Sequence, residues 1–191
     1  MGCCNGCVTE ALEGCSQAPS SVIIMMWEKG TLRKRGLTMR HITDATADIR
    51  NEEVSAGAGA VVDAQDGSLV HAEDGSRVHA EDGSVVHAKD GSEVYAENGS
   101  EVYAEDGSVV DAQDGSLIYA KSGSEVYAKA GSLVYARAGS LVYAEAYSLV
   151  YAYSCSSVHA YSVSTVHARA GSKIYADPGS LVYADDGAKV V

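Results

Sequence analysis

The chain has 191 residues, a formal net charge of −12 and no phenylalanine. Such an acidic chain repels phosphate, which makes nucleic acid and anionic lipid surfaces poor partners. It holds no run of about 20 apolar residues, so no transmembrane helix is expected.

Residues 1–20 carry Cys3, Cys4, Cys7 and Cys15. Three readings compete. Met-Gly-Cys-Cys resembles the dually acylated start of peripheral membrane proteins, with Gly2 myristoylated and Cys3 or Cys4 palmitoylated; two lipid chains anchor stably where one does not. The sixth residue, however, is Gly6, where serine or threonine is preferred. Cys4-Asn-Gly-Cys7 with Cys3 and Cys15 offers thiolates for zinc, but paired Cys-x-x-Cys units at zinc-finger spacing are missing. The third reading is a disordered, reduced tail without a site, as domain termini often are.

Residues 21–58 read as a small β/helix cap region. Val22 to Trp27 is a strand candidate, Glu28-Lys29-Gly30 a turn, and Thr31 to Arg35 a returning strand. The basic cluster Arg33, Lys34 and Arg35 lacks interleaved aromatics and reads as a solvated face. Residues 43–54 suggest a short helix, with Thr43 or Asp44 as cap and fair helix formers from Ala45 to Glu53. Ser55 to Gly59 reads as a linker. A stacked repeat needs an end cover, and 40–58 is assigned that task.

From Gly59 to Val191 one eight-residue phrase recurs without insertion, as in Gly131-Ser132-Leu133-Val134-Tyr135-Ala136-Arg137-Ala138. A fixed period of this kind means a repeat architecture. Ser-x-Val-Tyr-Ala alternates with period two, the mark of a strand with two unlike faces. The next residues, such as Glu-Asp-Gly or Arg-Ala-Gly, are turn chemistry. The Ser, Val/Ile and Ala positions hardly vary, as close packing requires, so they point inward. The variable residue and the Tyr, His or Asp point out. A buried serine row needs partners, either other serines or turn backbone.

One strand cannot bury its own face, so the chain is expected to be all-β, a parallel β-solenoid (β-helix) of octapeptide repeats. Two octads per coil give two sheets; three give a triangle. Taken every second octad, the variable position separates into the row Leu69, Val85, Glu101, Leu117, Leu133, Leu149, Thr165, Leu181 and a far more polar row starting at Val61 and Arg77. Every third octad also yields one apolar row. The small Ser, Val and Ala volumes favour two close-packed sheets and 16 residues per coil. Tyr147, Cys155 and Val163 replace the turn glycine in three consecutive octads, and those turns are expected to adopt another conformation.

No catalytic constellation emerges: there is no phosphate loop, no Gly-x-Ser-x-Gly and no His-Glu-x-x-His. No cofactor and no metal site are expected. His71 and His87 become vertical neighbours in a two-octad coil, and stacked imidazoles can bind a metal, although histidine replacing tyrosine on a flat surface suffices as an explanation. The surface remains. Leu69, Leu117, Leu133, Leu149 and Leu181 run beside Tyr103, Tyr119, Tyr135, Tyr151 and Tyr183, and contiguous apolar surface usually means a partner.

Ala136, Gly139 and Ser140, with their equivalents along residues 59–191, match three positions of the octapeptide Ala-Gly-Tyr-Gly-Ser-Thr-x-Thr, so the array resembles bacterial ice-nucleation proteins. The resemblance implies octads paired into 16-residue solenoid coils, tyrosine ladders and lateral self-association. The family's Thr-x-Thr row falls here on Leu141 and Tyr143, and Thr165 is the sole threonine of the repeats. The reading adopted is a non-catalytic, rigid acidic solenoid that forms a homo-oligomer through its Leu/Tyr face. The alternatives are an ice-binding surface protein and an acylated membrane-associated scaffold.

Overall fold

The computed structural model describes residues 25–28, 31–34, 40–43 and 45–191. The chain divides into two units, 1–38 and 39–191. In the first, Met25–Glu28 and Thr31–Lys34 pair antiparallel. In the second, alternating strands feed two sheets of ten strands each. One runs from Arg40–Ile42 through Leu69–Ala72 to Leu181–Ala184, the other from Thr46–Arg50 through Arg77–Ala80 to Lys189–Val190. Each strand therefore lies beside the strand two octads away, and the coil is 16 residues: Val134 lies between Ile118 and Val150, in parallel register. Ten strands at the usual strand spacing stack to roughly 43 Å.

The interior follows from the period-two pattern. Val134 and Ala136 are fully buried, whereas Leu133 and Tyr135 are half-buried on the outside. The core is an unbroken column of Val or Ile against Ala, from Ile42 to Ile174. The serine row joins the turn backbone: Ser132 Oγ donates to the carbonyl of Lys129 at 2.6 Å, and this bond recurs in almost every coil. Among the described residues no buried side-chain polar atom lacks a partner.

The turns reverse direction through one left-handed residue, as at Gly131 with φ 73°. Tyr147, Cys155 and Val163 do not adopt another conformation; they take the same one, with φ of 64°, 63° and 69°. Their neighbours hold them there. The amide of Cys155 donates to the carbonyl of Gly171 at 3.1 Å, and the amide of Gly139 to the carbonyl of Cys155 at 3.0 Å.

The helix expected over 43–54 is not formed. Thr46–Arg50 and Glu53–Ala56 are strands, and no helix occurs among the described residues. Thr46-Ala-Asp-Ile-Arg alternates exposed and buried, so Ala47 and Ile49 extend the core against Val62 and Ala64. Asn51, at φ 50°, takes the place of the turn glycine; asparagine tolerates this region better than most residues. Ser55 and Ala56 are strand rather than linker, in register with His71 and Ala72. Helix propensity lost to an available sheet edge and a core that accepts alternate residues.

Candidate interaction face

Outward residues repeat every 16 positions and so form straight columns up each sheet. On the sheet that begins at Arg40, the first column is the Leu row. Leu133 sits between Leu117 and Leu149. Leu69, Leu117, Leu133 and Leu149 are half-buried because each covers its neighbour, and Leu181 is exposed. Glu101 interrupts the row, and its carboxylate accepts a hydrogen bond from the Tyr103 hydroxyl.

The second column is an aromatic ladder. His71, His87, Tyr103, Tyr119, Tyr135, Tyr151, His167 and Tyr183 stack without a gap, with ring centroids 4.7 to 5.2 Å apart. The strand spacing imposes this distance, which lies within the range of favourable aromatic pairs. The ring faces are spent on one another, so the ladder shows its edges to solvent. Burial, then the neighbouring His71, holds the His87 pKa below the ordinary histidine value.

The third column lies where the strand enters the turn: Glu73, Lys89, Glu105, Lys121, Arg137, Tyr153, Arg169 and Asp185. Its lower part is paired within the chain, Lys89 Nζ to Glu73 at 3.4 Å and Lys121 Nζ to Glu105 at 2.7 Å. The Lys121 ammonium draws the Glu105 carboxyl pKa down. Higher up, the Arg169 guanidinium lies over the Tyr153 ring at 4.8 Å. A shallow cleft lies on either side of Tyr153, one reaching Tyr135 and Arg137, the other His167 and Arg169.

The opposite sheet differs. Its ladder breaks where Asp111 stands between Tyr95 and Tyr127, leaving His79–Tyr95 and the run Tyr127, Tyr143, His159, Tyr175. Glu93 and Glu125 occupy its variable column and accept from Tyr95 and Tyr127 at 2.6 and 2.5 Å. Bonding to Glu125 pushes the Tyr127 pKa up to about 12. Tyr95, then Arg77, holds the Glu93 carboxyl low.

Charge is divided along the rod, which the octad pattern conceals. Residues 59–119 carry 14 Asp or Glu against two Lys or Arg, while 120–176 carry two against five. The aspartate before the turn glycine, as at Asp74 or Asp106, gives way to Ser122, Ala130 and Ala138.

Among the described residues no three His, Cys, Asp or Glu side chains are placed to hold a metal ion. His71 and His87 stack at 5.2 Å, and His71 Nε2 lies 3.4 Å from Glu53. Cys155 is an exposed free thiol. Gly2, Cys3, Cys4, Cys7 and Cys15 lie outside the described residues, as do the side chains of Arg33, Lys34 and Arg35. No described helix is long and apolar enough to cross a membrane.

The parallel pairing and the 16-residue register define a two-sheet parallel β-solenoid, a fold that fits a structural scaffold. No protein-family model matches the chain, and no curated protein matches it. The octapeptide resemblance to ice-nucleation proteins thus gains nothing from these comparisons. Among solved structures the chain is similar to the crystal structure of a TibC-catalysed hyper-glycosylated TibA fragment. Identity is 14%, 82% of this chain and 93% of that one are covered, and the TM-score is 0.31.

Proposed function

We propose that this protein is a non-catalytic structural solenoid, a rigid acidic rod that self-associates through the sheet bearing the Leu row and the continuous ladder. One observation carries the reading. The two sheets share one fold and one interior, yet only this one presents an unbroken column of eight rings beside a mainly apolar row. Solubility alone would treat both sheets alike. Flat columns of Leu and Tyr offer area to an identical copy, and aromatic surfaces carry interface energy well. A two-fold pair is the usual closed solution.

Sedimentation of the full chain tests this. Wild type is expected to associate, and more strongly as salt screens the repulsion between two copies of net charge −12. Leu133→Glu with Leu149→Glu, adjacent in one column, is expected to abolish association. Arg77→Glu, on the opposite sheet, is expected to leave it nearly unchanged. A wild-type chain that stays monomeric at high concentration and salt defeats the proposal, as does a Leu133/Leu149 variant that associates like wild type.

A further inference from the structure

The third column of the Leu/Tyr sheet has a symmetry that the repeat does not require. Its members, read upward, are Glu73, Lys89, Glu105, Lys121, Arg137, Tyr153, Arg169 and Asp185, each one coil above the last. Counted from Gly57 to Asp185, Lys121 is the midpoint. One coil below it is Glu105 and one coil above is Arg137; three coils below is Glu73 and three above is Arg169. Between them, two coils out, Lys89 answers Tyr153. Two of these pairs are thus opposite in charge about Lys121, the third sets a cation against an aromatic ring, and Asp185 answers the uncharged Gly57.

We propose that the second copy docks antiparallel on this sheet, about a two-fold axis that crosses the rod at the level of Lys121. This rests on the self-association reading above and adds the orientation and the contacts. A two-fold interface sets each patch against itself, so a surface suits it only if it is complementary to its own rotated image. When the axis runs along the strand direction, the rods lie antiparallel and each column faces itself upside down. Arg137 of one copy then meets Glu105 of the other, Arg169 meets Glu73, and Lys89 lies over Tyr153, where a cation on a ring is favourable. Each of these three contacts occurs twice, once on either side of the axis. In the Leu column, Leu117 meets Leu117, Val85 meets Leu149 and Leu69 meets Thr165, while Glu101 against Leu133 is the one charge set on hydrocarbon.

The alternative two-fold axis, along the rod, makes the copies parallel and exchanges the columns. The third column then faces the Leu column at the same height, so Arg137 meets Leu133 and Glu105 meets Glu101, which pairs charge with hydrocarbon and like with like. Charge complementarity selects one partner orientation by opposing the other. The two Lys121 side chains do approach each other at the antiparallel axis. Each is already bonded to its own Glu105 at 2.7 Å, and that carboxylate is the one the other copy's Arg137 reaches. The clefts beside Tyr153 leave space for the incoming Lys89 and Glu105.

The test is a charge exchange in the full-length chain, read as the dimer dissociation constant by sedimentation at one ionic strength. Arg137→Glu with Arg169→Glu is compared with Lys129→Glu and Lys173→Glu, which change net charge equally on the opposite sheet. The first pair is expected to weaken the dimer about tenfold more than the second, within the range of charge contacts at interfaces. Adding Glu73→Arg and Glu105→Arg to the first pair rebuilds the column inverted and is expected to restore wild-type association. All of these side chains lie on the solenoid surface, and strand content by circular dichroism checks that each variant folds. Equal weakening by the two pairs overturns the orientation while self-association stands. Failure of the fourfold exchange to restore binding also overturns it, since the arginines then meet something other than these glutamates. A wild-type chain that never associates removes the underlying reading itself.

Discussion

The amide of Tyr147 donates to the carbonyl of Val163, 3.1 Å away in the next coil, and both residues hold left-handed φ values, 64° and 69°. In most other coils glycine fills this position. A side chain there costs about 1–2 kcal/mol, and a β-branched one such as Val163 is the least suited. The stack over-determines the turn: register above and below leaves it no other path.

Val163→Gly is accordingly expected to stabilise the solenoid. The relief of strain exceeds the conformational entropy that glycine adds to the unfolded chain, leaving a net gain of up to about 1 kcal/mol. The reverse change, Gly131→Val, is expected to cost a similar amount, because its φ of 73° is one that a β-branched residue rarely adopts, although a Cβ there would meet the Gly115 amide at an ordinary contact distance of 3.6 Å. Thermal or urea unfolding of both variants measures the difference. A Val163→Gly protein less stable than wild type shows that the valine contributes contacts worth more than its strain.

Interior volume gives a second prediction. Ala136 is fully buried and pairs with Ala120 and Ala152, so nothing around it can be replaced by water or bent outward. Ala136→Val is expected to destabilise by about 1–3 kcal/mol through overpacking. Leu133→Val, one strand position outside the core, is expected to change stability by less than about 1 kcal/mol. Similar losses at both positions contradict the assignment of inner and outer faces.

The serine row supports a third. Ser132→Ala deletes the hydrogen bond to the Lys129 carbonyl, an acceptor that keeps the Ser132 amide at 3.2 Å. Because that carbonyl is not orphaned, the loss is expected to be modest, about 0.5–1.5 kcal/mol. Ser132→Val removes the same bond and adds volume beside the turn, and should cost more. Equal effects from the two changes would mean that the lost bond, common to both, decides and that the added volume costs nothing.

Much of this architecture was legible in the repeat itself. Nearly constant Val/Ile and Ala beside a variable neighbour marked the inner face, and their small volumes favoured two octads per coil, although an apolar row also recurs every third octad; the register that sets Val134 between Ile118 and Val150 decides for two. Two things were not legible. The first coil departs from the octad spelling, since Ala47 and Ile49 stand where Val and Ala stand later and Asn51 stands for glycine, so composition suggested a helix where a sheet edge was waiting. Tyr147, Cys155 and Val163 were read by their own preferences, whereas the neighbouring coils impose the turn. The charge pairing about Lys121 was hidden for a different reason: a column in space is every sixteenth residue in sequence, and its charges become a pattern only when the coil length is known.

Phenol titration provides the next prediction. The Tyr127 hydroxyl donates to Glu125, and the carboxylate disfavours a phenolate beside it, so the pKa is raised to about 12. The unfolded value is about 10. Between these values the folded chain keeps a proton that the unfolded chain has lost. The contribution is thus fully present below the unfolded pKa and is lost as pH rises through the folded one. Ultraviolet titration is expected to show a late-ionising phenol that vanishes in Tyr127→Phe and moves down in Glu125→Gln. An unchanged curve in Glu125→Gln would show that the carboxylate does not hold the phenol.

Acid sensitivity should enter through the foot of the continuous ladder. His87 is stacked between His71 at 5.2 Å and Tyr103 at 4.7 Å. Burial, then His71, lowers its pKa, with Lys121 adding to that and Glu105 and Glu101 opposing it. A base with a depressed folded pKa is neutral in both states at high pH. As pH falls through the ordinary histidine value near 6.5, the unfolded chain takes its proton first, so stability present above that value is lost as pH descends toward the folded pKa. Tyrosine fills this slot in the coils above, and His87→Tyr keeps the stack without the titration. The drop in thermal midpoint between about pH 7.5 and about pH 5.5 is expected to be smaller in His87→Tyr than in wild type, since few carboxylates titrate in that interval. His71→Tyr removes the second cause of the depression and is expected to relieve the acid loss only in part, because burial of His87, the larger cause, remains. If both variants lose stability with acid as steeply as wild type, protonation within the ladder does not limit the fold.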